Sequence, residues 1–402
     1  MKKPVPFYSD SFVTIYHGDN REIIPALAES GTRFSACVTD PLYGLKFMGA
    51  KWDYDVPSVA FWQTVHAALL PGAHVLSFGG SRTCHRIAVS IEDAGFELRD
   101  TIMWLYGSGF PKSLDVSKAI DKAAGAKRRV EKMAWRSNAP GTVTDKVNWI
   151  RDEAYPITSA ATDDAKKWQG WGSSLKPAHE PVCVARKPLE CTVAANVLKH
   201  GTGALNIDAG RVGTISEKAA RKGCGAAGQA VFNSATIRDY NPSAAGRWPA
   251  NVIHDGSDEV LAGFPESNRA GGIRLIHKAA TTSIDHGDSG NAGRFFYCAK
   301  ASRSEREAGL KSASTKSTTS TARNNTHPTV KPLSLMRYLL KLVCHADGIV
   351  IDPFGGSGST AVAAKQLGFP IVIIERERKY CQIAAQRVAA AAYDPAWCAT
   401  RK

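Results

Sequence analysis

Short apolar runs rich in β-branched residues alternate with amphipathic stretches over the first hundred residues. FVTIYHG precedes REIIPALAES, and SACVTD precedes VPSVAFWQTVHAALL, which Pro71-Gly72 ends. AHVLSFGG then precedes RTCHRIAVSIEDAG, and ELRDTIMWLYG follows. The alternation predicts βαβ units around a parallel sheet. From Thr326 the same character returns, with a helix in PLSLMRYLLKLV and a strand, glycine turn, helix and strand in VIDPFGGSGSTAVAAKQLGFPIVIIE. One Ala-rich helix and a tail complete the chain in RERKYCQIAAQRVAAAAYDPAWCATRK. The middle has little periodicity and much Gly, Ser, Ala, Asn and basic residue. Within it SLDVSKAIDKAAGAKRRVEKMA predicts a basic helix, and KSASTKSTTSTARNNTH a flexible loop or linker. GRWPANVI and RFFYCAKASRSER read as structured segments, the second with a strand in RFFYCAK.

The glycine turn of the late unit, Gly356-Ser357-Gly358-Ser359-Thr360-Ala361, has the G-x-G-x-x-A form expected where a strand feeds a helix against a nucleotide. Its glycines let the backbone approach a ligand, and the following helix offers free N–H groups and a positive dipole end. Glu375 closes the next strand at the spacing of an acid that meets a ribose hydroxyl. Too little chain follows Glu375 to finish such a domain, so the missing strands must come from the N-terminus. The expectation is a circularly permuted sheet whose first two strands in space are encoded last, followed by VTIYHGD and then SACVTD. Asp352, Glu375, Asp19 and Asp40 would then end four adjacent strands, on the edge where open α/β sheets bind ligands.

At 402 residues and 44% hydrophobic, the chain can bury a core of two or three domains. Met1–Asp10 lacks a signal-peptide core, and no run of about 18 apolar residues occurs, so a cytoplasmic address without a membrane is expected. Nine scattered cysteines form no CxxC pair and no zinc-ligand spacing, which points to reduced thiols and no metal. The net charge of +14 is uneven. Residues 1–110 hold 9 basic and 11 acidic side chains, residues 111–330 hold 32 and 21, and residues 331–402 hold 10 and 5. A basic middle suits either a solvated surface or a polyanion partner.

DPLYG, Asp40–Gly44, resembles the D-P-P-Y motif of S-adenosylmethionine-dependent DNA amino-methyltransferases, and DPFGGSGST resembles their F-x-G-x-G cofactor motif. With the catalytic motif first, the order is similar to the permuted β group of that family. GWGSSLKPAHEPVCVARKPL and THPTVKP resemble further family segments. The resemblance implies a Rossmann-like, seven-stranded methyltransferase sheet of α/β class with an inserted basic target-recognition region. It also implies site-specific methylation of an exocyclic amine on a base flipped out of double-stranded DNA. Asp40 and the Pro41 carbonyl would accept the two amine hydrogens, and Tyr43 would stack on the base. Asp352, Phe354, Gly355, Gly356 and Gly358 would meet the cofactor, with Glu375 on its ribose, Asp19 at its adenine amine, and Thr329 and Lys331 where a helix start receives its carboxylate. Leu42 replaces the usual second proline, which costs rigidity but none of the essential groups.

Five regions follow from that resemblance. Residues 1–110 form the catalytic half, 111–169 a basic insertion, 170–190 the end of the catalytic sheet, 191–325 the target-recognition region, and 326–402 the cofactor-binding half. Residues Lys112–Arg136 would touch DNA, and Lys46–Asp53 would form a mobile loop over the base, with Trp52 alternatively a buried anchor. An aspartate at the first motif position resembles the adenine-N6 type and favours it over cytosine-N4. A DNA-binding protein without turnover is the reading of another class. The recognition sequence, a cognate restriction endonuclease and the oligomeric state stay open.

Overall fold

The computed structural model describes residues 4–45, 55–107, 113–135, 154–211, 248–264, 266–267, 275–276, 279–280, 290–291, 296–298, 300–310 and 324–394. Among these residues, ten strands form the main sheet. In chain order they are β1 (Tyr8–Ser9), β2 (Val13–His17), β3 (Phe34–Thr39), β4 (Leu69–Phe78), β5 (Glu97–Leu105), β6 (His179–Arg186), β7 (Val252–His254), β8 (Phe296–Tyr297), β9 (Val350–Asp352) and β10 (Ile371–Glu375). Their order in space is β1-β2-β10-β9-β3-β4-β6-β5-β7-β8. The seven strands from β2 to β5 in this row are the expected Rossmann-like sheet. Short strands extend it at both edges.

Strands β2, β10, β9, β3 and β4 are parallel, β6 runs antiparallel to both its neighbours, and β5 and β7 resume the common direction. The permutation is present, but the spatial order differs from the sequence expectation. VTIYH pairs with β10, whereas SACVT pairs with β9 on the other side, so VID lies inside the sheet rather than first in it. Helical connections place a strand on either side of its predecessor, and no local pattern chooses between them.

Alternate residues of the central strands enter two cores, one on each face. Ile15, Val38, Leu76, Val350, Ile371 and Ile373 pack on one face, and Tyr16, Cys37, Val75, Ile351, Val372 and Ile374 on the other. Burial on both faces is why these strands read as unbroken apolar runs. Leu333–Val343, Ser359–Leu367 and Arg378–Ala390 supply helices to the first core. Asn20–Glu29, Val59–Ala68 and Cys84–Asp93 cover the second. Leu69 leaves its helix directly into β4, so Pro71-Gly72 lies within a strand rather than ending a helix, with Gly72 at φ +78°.

The middle departs further from expectation. SLDVSKAIDKAAGAKRRVEKMA is a short helix, Val116–Ala123, followed by a strand, Arg129–Trp135, paired antiparallel with Ala154–Ser159. Gly125, at φ +65°, turns the chain after the helix, and the β-branched and aromatic positions beyond it suit a hairpin. Arg128 closes this unit by donating to Asp121 at 2.6 Å and to the hydroxyls of Ser117 and Thr158. Segments of GRWPANVI and RFFYCAK join the main sheet as β7 and β8. Lys46–Asp53, Trp52, Lys112, Arg136 and most of KSASTKSTTSTARNNTH lie outside the described residues. No helix among the described residues is long and apolar enough to cross a membrane.

Candidate active site

β2, β10, β9 and β3 are adjacent and parallel, so Asp19, Glu375, Asp352 and Asp40 stand at one edge of the sheet, as the sequence suggests. Their surroundings separate their roles. Asp352 is fully buried and ties three segments together. It accepts from the Thr39 hydroxyl at 2.6 Å, the Thr360 hydroxyl at 2.6 Å and the Phe354 N–H at 3.0 Å. It therefore joins the end of β3, which leads into Asp40, to the turn after β9.

Burial pushes the Asp352 carboxyl up to about 6, against the pull of its three donors. A pKa raised above the unfolded value means that folding favours the protonated form. The resulting stability is fully present below about pH 4 and is lost as pH rises through about 6, an effect of roughly 3 kcal/mol. Asp352→Asn removes this titration while keeping the shape. Urea unfolding at pH 4 and pH 7 should show the stability of the wild type falling by about that amount relative to the variant as pH rises. A difference that does not change with pH would refute the burial account.

The glycine turn is built for close approach. Gly356 and Gly358 have φ of +52° and +79°. The Gly356 N–H donates to Glu375 Oε2 at 2.8 Å, while Glu375 Oε1 accepts from the Glu377 N–H at 2.7 Å. Burial raises the Glu375 pKa, and these N–H groups act against the rise. A Cβ on Gly355 would lie 3.0 Å from Ile373, and one on Gly356 2.8 Å from Nε2 of His327. Beyond Gly358 the Ser359–Leu367 helix begins without a side-chain cap. Arg387, buried below, donates to the Ser357 carbonyl at 2.8 Å. Phe354 packs on Phe61 with ring centroids 5.2 Å apart.

His327 belongs to this group, although THPTVKP gave no reason to assign it a role. Its ring meets Tyr380 edge-on at 4.6 Å, and its Nδ1 lies 2.6 Å from the Thr329 carbonyl. Burial brings its pKa down to about 4, so near pH 7 the ring is neutral. A carbonyl partner requires the hydrogen on Nδ1, which leaves Nε2, the nitrogen facing Gly356, as an acceptor. Thr329 itself is exposed. Asp19 caps the Asn20–Glu29 helix and binds Arg21 through both oxygens at 2.9 and 2.5 Å, with that hydrogen bonding holding its carboxyl down near 2.

The DPLYG segment is held from two sides. The Thr83 hydroxyl donates to the Tyr43 carbonyl at 2.6 Å, and Gly80 leaves room for the Tyr43 ring, since a Cβ there would lie 3.2 Å from it. These contacts supply part of the rigidity that Leu42 does not. Pro41 is buried, and the Tyr43 hydroxyl donates to Asp40 Oδ1 at 2.6 Å. Burial, then the charges of Asp40 and Glu180, raise the Tyr43 pKa well above its ordinary value and keep the phenol protonated.

Lys331 stands beside Asp40 rather than at the start of its own helix. It precedes the Leu333–Val343 helix, but its Nζ lies 2.7 Å from Asp40 Oδ2 and 3.2 Å from Glu180 Oε2. It thus sits with Asp40, Tyr43 and Glu180 rather than with the glycine turn. The start of that helix is already met by a carboxylate, because the Leu333 N–H donates to Glu305. Neither Glu180 nor Glu305 was marked by the sequence. Glu180 stands inside HEPVCVAR, and only the reversed direction of β6 carries it to this edge.

A family model for N6/N4 methyltransferases, described as DNA methylase, matches residues 34–386. The type II methyltransferase M.HindIII of Haemophilus influenzae (strain ATCC 51907 / DSM 11121 / KW20 / Rd) is 22% identical over 323 residues, which are 80% of this chain and 64% of that protein. The putative methylase YubD of Escherichia coli (strain K12) is 45% identical over 67 residues, 17% of this chain and 30% of its own length. The chain thus covers less than two thirds of either relative. Among solved structures, the M1.HpyAVI-SAM complex has 16% identity and a TM-score of 0.41, covering 94% of this chain and 98% of its own. The cytosine-N4-specific PvuII DNA methyltransferase has 14% identity and a TM-score of 0.43, covering 96% and 89%.

Proposed function

The chain belongs to the N6/N4 DNA methylase family, and on that premise we propose that it methylates the exocyclic amine of a base in double-stranded DNA, adenine N6 first. The reading rests chiefly on one observation. The Asp40 carboxylate and the Tyr43 ring are fixed beside a glycine turn, with Thr39 and Asp352 joining the two at 2.6 Å.

S-adenosylmethionine, when bound, supplies a methyl sulfonium for the transfer. The residues fit such a ligand. At Gly355 and Gly356 there is space for backbone only, which suits direct contact. Glu375 offers acceptor oxygens that match a ribose diol, and the uncapped helix start offers N–H groups. Phe354, Gly358, Asp352, Asp19 and Thr329 complete the proposed cofactor group, Asp352 by holding the turn.

An aromatic amine is a poor nucleophile because its lone pair is delocalised into the ring. Asp40 and the Pro41 carbonyl, accepting its two hydrogens, favour the tetrahedral geometry that frees the lone pair. Asp40 is also the carboxylate placed to receive the proton that the amine loses after transfer. Tyr43 offers an aromatic face that offsets part of the unstacking cost when the base leaves the duplex.

The insertion between β5 and β6 leaves and returns at the catalytic edge, and β7 ends there too. This supports reading Lys112–Arg136 of the basic insertion as a DNA contact and residues 191–325 as the target-recognition region, where Lys and Arg would meet phosphates and other side chains would read base edges. The aspartate at the first motif position favours adenine. Incubating protein, S-adenosylmethionine and duplex DNA, then analysing nucleosides by mass spectrometry, should yield 6-methyladenine. Detection of 4-methylcytosine alone would overturn the choice of base, and DNA binding without any methyl transfer would overturn the enzymatic reading.

A further inference from the structure

Lys331 places a positive charge where the proposed chemistry least favours one. Its side chain is 9% exposed, and its Nζ donates to Asp40 Oδ2 at 2.7 Å and to the Tyr43 hydroxyl at 3.2 Å. The same ammonium lies 4.8 Å from the centre of the Phe78 ring and 5.5 Å from that of Tyr43. Burial alone would favour the neutral amine, but Asp40 and Glu180 outweigh it and hold the ammonium charged. During methyl transfer, positive charge is shared among sulfur, methyl and the amine nitrogen. An ammonium paired with Asp40 cancels the negative charge that should meet this cation.

Glu180 restores it. Its Oε2 lies 3.2 Å from Lys331 Nζ and 3.4 Å from the Tyr43 hydroxyl, and its side chain is 21% exposed. Asp40 and Lys331 together are neutral, whereas these three directly bonded groups sum to one negative. Lys300, which also acts on Glu180, stands over the Tyr106 ring at 3.6 Å and is exposed to solvent that screens its charge. We infer that Glu180 is a positioning residue of the amine site: it holds the Lys331 ammonium and balances its charge, so that Asp40 faces the reacting amine with net negative charge. The inference rests on the reading of Asp40 as the amine acceptor. Glu180 reaches this place because β6 starts at the catalytic edge, where Glu180 lies opposite Trp104 of β5.

A mere tether would affect stability or substrate binding, whereas charge balance acts on the transfer step and depends on the charge of Lys331. The test compares wild type, E180Q, E180D, K331M and the E180Q/K331M double variant. The single-turnover rate of methyl transfer is measured with saturating S-adenosylmethionine and duplex DNA, together with KM for both and thermal melting to confirm folding. E180Q should lower the rate about tenfold, less than the 10²–10³ lost with a directly contacting group. KM should stay within about twofold, as for an interaction made in the transition state. E180D should keep most of the rate. K331M should cost less in the E180Q background than in the wild type, because there it removes an unbalanced cation. E180Q at the wild-type rate, a loss confined to KM, or strictly additive effects would overturn the inference. A wild type that transfers no methyl group would instead overturn the reading of Asp40, and this inference with it.

Discussion

Asp40→Ala should lower methyl transfer by roughly a thousandfold, combining the loss of an amine acceptor with that of a proton-accepting carboxylate. Asp40 is hydrogen-bonded to Lys331 and Tyr43, whereas it acts on Asp352, which holds the glycine turn, through charge. Binding of S-adenosylmethionine, followed by calorimetry, should therefore stay within a few-fold of the wild type. Stability should fall by about 1–3 kcal/mol, because Lys331 loses one of its two carboxylates in a buried site. Asp40→Asn keeps the volume and should still lose more than about a hundredfold in rate, which separates charge from packing. Retained turnover in either variant would remove Asp40 from the chemistry.

Gly356→Val should act on the other half of the site. The backbone there has φ +52°, which costs a side chain with a Cβ about 1–2 kcal/mol, and a β-branched residue more. The added Cβ would also lie 2.8 Å from His327 Nε2 and 3.1 Å from Cε1, in a ring pinned by Thr329 and Tyr380. Relief requires moving either the turn or the imidazole. The variant should bind S-adenosylmethionine at least about tenfold more weakly and lose about 2–4 kcal/mol of stability in urea unfolding. Pairing Gly356→Ala with His327→Ala isolates the two causes. Removal of the ring should recover the contact cost and leave the backbone cost. Full recovery would show that the left-handed conformation is unimportant.

Both predictions depend on how the two halves of the site are joined. Thr39 and Asp352 are 313 residues apart in sequence and share a hydrogen bond of 2.6 Å. Asn20 adds a second link, donating to the Pro353 carbonyl at 3.0 Å. Through Asn20 the segment after Asp19 is braced against the turn that carries Gly356, and through Thr39 the loop that carries Asp40 is braced against the same turn. A shift in either changes the distance between the proposed methyl donor and the amine, a quantity to which transfer is steeply sensitive.

The sequence alone was enough for most local elements of the main sheet. Strands buried on both faces must be continuously apolar, helices on one face must be amphipathic, and a turn at positive φ must be glycine, so these were legible from periodicity and composition. The lateness of VIDPFGGSGST was enough to require strands from the N-terminus, and the acids at four strand ends could be read from the strands themselves. Only the tertiary structure decided that VID lies between IVIIE and SACVT, that β6 runs backwards, and that Lys331 turns to Asp40, 291 residues away, instead of to the start of its own helix. Glu180 and His327 acquire their environments in the same way, from segments far apart in the chain. No local period records which side of a strand its neighbour takes or which carboxylate lies within reach of an ammonium. Those outcomes are set by packing across the sheet, where burial and charge are balanced among residues that the sequence never places side by side.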